Sequence, residues 1–186
     1  MPATPFYTPA EERINYLTHG LGAILSFIGL IVLIVSNFQS NWWELASVTV
    51  FGLSMLAVYI SSTLYHWVVK PRYKKSMRLL DHLAIYLLIA GSYTPFALVS
   101  LRDNWGFTVF FLVWGLAIFG MIMKVLWRQK MDKLGRLDAY FYVGVGSIAV
   151  LFMKPLSASL APFCVALLLA GGAMYLIGVV FYLRNS

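Results

Sequence analysis

Long apolar runs broken by short polar stretches make up this chain from end to end. Six runs stand out, over about 16–35, 45–69, 79–101, 107–127, 139–153 and 160–183. At about 1.5 Å per helical residue most of them are long enough to cross the roughly 30 Å of hydrocarbon in a bilayer. The fifth is short and ends at Lys154-Pro155, a shortfall that local thinning or snorkelling of flanking side chains would meet. In lipid each backbone polar group must be satisfied within its own segment, so such runs fold as helices. The expected fold class is all-α, a polytopic transmembrane helical bundle. It forms a single membrane-embedded domain over 1–186, because the connecting loops are too short to fold alone. Ahead of the first run, Thr8-Pro9-Ala10-Glu11 reads as a helix start. Thr8 is the N-cap, Pro9 takes the first helical position and Glu11 closes a capping box, which predicts a short interfacial helix over about 9–15. Gly91 and Pro95 are expected to kink the third span. No two glycines are spaced as GxxxG and no internal repeat is visible.

Composition supports the membrane reading, with 61% hydrophobic and 11% charged residues. A formal charge of +7 would suit nucleic acid, but the basic residues lie in loops between apolar runs, so no nucleic-acid partner is expected and membrane lipids are. Twelve Lys and Arg fall on one side of the membrane, in the amino-terminal segment, two loops (Lys70 to Arg78, Lys124 to Arg136) and Arg184. Only Arg102 and Lys154 fall on the other. The positive-inside rule then places both termini of this chain in the cytoplasm of a multi-pass cell-membrane protein. Glu11 and Glu12 precede the first run where a signal peptide would be basic, so no cleavage is expected. Cys164 is the single cysteine, which excludes an internal disulfide and a thiolate zinc cluster.

The candidate chemistry lies in Ser61-Ser62-Thr63-Leu64-Tyr65-His66 and, fifteen residues on, Asp81-His82. Lipid tolerates such groups only where protein or water surrounds them. Ser62 and His66 stand four apart and share a helix face. Each residue also has a plainer reading. His66 can be a buried imidazole satisfied by a carbonyl, Ser62 can bond back to the Val58 carbonyl, and Asp81 can be a first-turn carboxylate held by the helix dipole and Arg78. His19 sits at the mouth of span 1, and His82 points about 100° away from Asp81.

The sequence also resembles a known family. Glu12, Asn15, Thr18-His19-Gly20, Ser62-Thr63-Leu64-Tyr65-His66, Asp81-His82 and Ile89-Ala90-Gly91-Ser92-Tyr93-Thr94-Pro95-Phe96 look like the blocks of the hemolysin III proteins. These are the bacterial branch of the progestin and adiponectin receptor-like membrane proteins, more distantly similar to alkaline ceramidases. The resemblance implies a seven-helix bundle with zinc near the cytoplasmic side, His66 as a ligand, and Ser62 and Asp81 beside the zinc-bound water. Two further ligands come in that family from an HxxxH pair in a seventh span, which the six runs here do not include. The expectation is therefore of a piece of a longer protein, or of replacement ligands from His19, His82 or Asp81. Two functions follow from the resemblance. One is a zinc-associated membrane protein acting in membrane homeostasis, signalling, transport or cytolysis. The other is a zinc-dependent lipid amide hydrolase in which Asp81 is general base and Ser62 steadies the oxyanion.

Overall fold

The structure, a computed structural model, describes residues 7–128 and 131–184. Every regular element among them is helical. Helix α1 covers Pro9–Ser36, α2 Trp42–Trp67 and α3 Pro71–Pro95, which a π-helical turn at Phe96–Ser100 continues. Helix α4 covers Gly106–Leu126 and α5 Met131–Gly146. A 3₁₀ stretch at Ser147–Phe152 leads to α6 at Met153–Ser159, and α7 runs over Pro162–Arg184. Six helical segments among the described residues are long and apolar enough to span a membrane, the fifth being Leu137–Ser159, which joins α5, the 3₁₀ stretch and α6. Helix continues through Lys154 and Pro155 to Ser159, because proline is tolerated in the first turn of α6 where its missing N–H is no loss.

The capping box at Thr8 is formed as the sequence reads. Thr8 N–H donates to Glu11 Oε2 at 2.7 Å and Glu11 N–H to Thr8 Oγ1 at 3.3 Å. From there α1 runs unbroken, so the stretch over 9–15 is the first two turns of the spanning helix itself. Two expectations for α3 need correction. The basic stretch after Lys70 is helical from Pro71 onward, so Asp81 lies ten residues into α3 and is no first-turn carboxylate. Gly91 marks a close crossing, where a Cβ would run into the side chain of Ser54 on α2. The irregularity falls after Pro95, as the π turn.

Small residues bring the helices together, as expected where lipid leaves dispersion and close approach to drive association. Ala90, Ala97, Val113 and Ala117 are fully buried in a core shared by α3, α4 and α5. On α2, Gly52 meets Leu30 of α1, where a Cβ would come within 2.6 Å of Leu30 Cδ1. Tyr93 crosses from α3 to the place where α5 tightens into 3₁₀ geometry. Its hydroxyl donates to the Gly146 carbonyl at 2.6 Å and accepts from Ala149 N–H at 2.7 Å, satisfying backbone groups in the apolar interior. The outward faces carry large apolar side chains, and no described residue of α7 is buried.

Candidate functional site

The amino-terminal ends of α1 and α3 and the carboxy-terminal end of α2 meet at one end of the bundle, where the buried Ser62 and His66 lie. Helix α2 presents Ser62 and His66 on one face, both buried. The His66 ring is held from α1, with Nδ1–H donating to Glu12 Oε2 at 2.7 Å. The other oxygen of Glu12 accepts from Lys74 Nζ of α3, also at 2.7 Å, and the same ammonium donates to the Tyr65 carbonyl at 2.7 Å. Lys74 stands 4.5 Å over the Tyr65 ring. Glu12 and Lys74 are only 21% and 24% exposed, so this carboxylate is a bridge across three helices rather than a solvated charge.

Asp81 of α3 lies near both Ser62 and His66, close enough for the Ser62 hydroxyl to act on its carboxyl and for the charges of Asp81 and His66 to interact. The back-bond to the Val58 carbonyl is made by Ser61, at 3.0 Å. His19 of α1 lies beside His66, ring centroids 5.7 Å apart and planes 27° from parallel, and its Nδ1 is buried without a hydrogen-bond partner among the described residues. His82 is not part of this group. Its backbone carbonyl accepts from the Tyr142 hydroxyl of α5 at 3.1 Å, and the charges near its buried ring are those of Lys124 and Arg78. Asp81 and His82 point about 100° apart on α3, as adjacent helical residues do.

Two members of this site get no chemical role from the sequence. Glu12 enters there only with the residues of the family resemblance and as an acidic residue ahead of the first run, and Lys74 as a topology-setting loop residue. The available signal is the spacing of Glu12, Asn15 and His19 at i, i+3 and i+7, which puts a polar stripe on one face of an apolar helix.

A resident zinc needs about three protein ligands. Among the described residues no three His, Cys, Asp or Glu side chains are grouped to hold a metal. His66 has the attitude of a ligand, its Nδ1 tied to a carboxylate and its Nε2 left for other contacts. One such imidazole does not make a zinc site, so the residues described do not fit the metal by themselves. What they do supply is a carboxylate–imidazole hydrogen bond, with a second carboxyl and a second imidazole within reach, in a water-poor setting suited to holding or passing a proton.

Fold and site together define a multi-pass α-helical membrane protein with a buried ionisable cluster at one end. Residues 7–185 match the family described as Haemolysin-III related. The chain is 39% identical over 180 residues to "Hemolysin-3 homolog" of Bacillus subtilis (strain 168), covering 95% of this chain and 82% of that protein. It is 41% identical over 174 residues to "Hemolysin-3" of Bacillus cereus, covering 93% and 78%. Similarity extends to human "Monocyte to macrophage differentiation factor", at 25% identity over 191 residues, covering 97% and 76%. No solved structure matches the chain. The protein belongs to the haemolysin III family.

Proposed function

We propose that this haemolysin III family protein acts in transport, signalling or membrane homeostasis through the cluster around His66, which handles a proton or small cation at the cytoplasmic end of the bundle. One observation carries the reading: Glu12 of α1 and Asp81 of α3 both approach the buried His66 of α2. Ionisable groups are costly inside a membrane and are kept there for ion pathways or relays. The cytoplasmic placement is part of the proposal and rests on the twelve-to-two distribution of Lys and Arg. The proton would enter between Glu12 and His66, and Asp81, steadied by Ser62, would receive it from the other face of the imidazole.

The test is proton flux in liposomes containing the purified chain and an internal pH-sensitive dye. Asp81→Asn should slow equilibration to the rate of empty liposomes, and flux unchanged by that substitution would sink the reading. The lipid amide hydrolase has one observation in its favour, the Ser62–Asp81 contact beside His66. It predicts fatty-acid release from a ceramide, abolished by Asp81→Ala. A cytolytic role, suggested by the names of the two Bacillus relatives, predicts lysis of erythrocytes by the added protein.

A further inference from the structure

His66 stands in the last turn of α2, and the chain just beyond it is open, with Trp67 64% and Val69 89% exposed. His66 itself is only 8% exposed. Its place at the end of a helix does not supply that burial; side chains laid over the ring do. Glu12 and His19 reach it from α1, Tyr65 from the preceding position on α2, and Asp81 from α3. Tyr7 covers it as well. The Tyr7 ring stands edge-on to the imidazole, with centroids 5.4 Å apart and planes 69° to each other.

Tyr7 differs from these other covers in lying outside the helices. It directly precedes Thr8, the N-cap of α1. An apolar residue at that position often packs back on the fourth residue of its own helix as a hydrophobic staple. Here the fourth residue is Glu12, whose carboxylate is taken by His66 and Lys74, so the staple has no apolar partner. The ring crosses to α2 instead, where it also lies near enough to Tyr65 for an electrostatic interaction. The capping box is closed by Thr8 and Glu11, so Tyr7 can turn about its own side-chain bonds without unwinding α1. At 37% exposed it has open space on its outer side. An edge-on aromatic contact favours the closed position by roughly two- to tenfold, which closes a site without locking it.

We infer that Tyr7 is a gate on the His66 cluster, closed when its ring lies against the imidazole and open when the ring swings outward and lets water reach His66. As a control on flux the gate rests on the proposal that His66 handles a proton or small cation. As a control on access to the imidazole it does not.

Diethyl pyrocarbonate, which adds to water-accessible imidazole nitrogens, tests the gate on the purified chain in detergent, with the reaction followed at each of the three histidines by peptide mass spectrometry. Tyr7→Ala should raise the rate at His66 at least threefold, the gain expected when a two- to tenfold preference for closure is removed. His82, which lies outside the cluster, should react as in the wild type. Tyr7→Phe keeps the ring and should fall closer to wild type than to Tyr7→Ala. An unchanged rate at His66 in Tyr7→Ala, or an equal rise at His82, as a general loosening would give, would overturn the gate. Flux in liposomes separates the gate from the reading beneath it. A rise in flux that follows His66 reactivity supports both, whereas flux absent from every variant while Tyr7→Ala exposes His66 keeps the gate and removes the proton path.

Discussion

Glu12→Gln tests the site where it is most sharply defined. The substitution keeps the size of the side chain and removes its charge, so it acts on the bridge to His66 and Lys74 and little else. A hydrogen bond to a charged group contributes about 1.5–3 kcal/mol and a neutral one about 0.5–1.5, so neutralising Glu12 costs about 1 kcal/mol at each of its two bonds. Both distances are 2.7 Å, so both count. The Lys74 half lies near the mouth, where solvent screening lowers an ion pair towards the surface range of about 0–1 kcal/mol. The expected loss is about 1.5–2 kcal/mol, felt as a loosened α1. Equilibrium unfolding in mixed micelles would measure it. A double-mutant cycle with Lys74→Met should give a coupling of about 0.5–1 kcal/mol. If Glu12→Gln falls within about 0.5 kcal/mol of wild type, as surface substitutions do, the bridge contributes nothing and the picture of α1 pinned to α2 and α3 is wrong.

Three other outcomes follow from the same geometry. Tyr93→Phe leaves the Gly146 carbonyl and Ala149 N–H without their shared hydroxyl. It should cost about 1–2 kcal/mol, within the range measured for interhelical hydrogen bonds in membranes, and a stability equal to wild type would show that the junction of α5 satisfies itself. Gly91→Val drives a side chain into Ser54 on α2 and should lower the yield of folded protein in detergent, whereas a normal yield would mean that α2 and α3 can separate freely. Elemental analysis of the purified 186-residue chain should give well under one zinc per molecule, since no three candidate ligands are grouped among the described residues; one zinc per chain, lost in His66→Ala, would contradict the account of the ligands.

The helices were legible because membrane spans announce themselves by length and apolarity alone, and the Thr8 cap because its partners are three residues apart. Ser62 and His66 were legible as a pair for the same local reason. What joins them to the rest is not local. Glu12 and His66 are 54 residues apart and Glu12 and Lys74 are 62, distances at which spacing carries no information and only the packing of α1, α2 and α3 decides. A hydropathy reading starts α3 too late, because the residues after Pro71 are basic rather than apolar and such a reading ends the helix where the lipid ends. By its charge Lys124 reads with the loop it adjoins, although it pairs with Asp138 on α5. Gly91 looked like a source of bending. Its role as a contact point became visible only with Ser54 opposite it.

The central claim is that Glu12, His66 and Asp81 work as one unit, and flux through liposomes carrying His66→Ala, Asp81→Asn and the double variant tests it most directly. Groups in one pathway are not additive, so each single variant should lose nearly all of the flux and the double variant no more. Flux that survives both single variants, or that falls in independent steps whose product gives the double variant, would contradict the account.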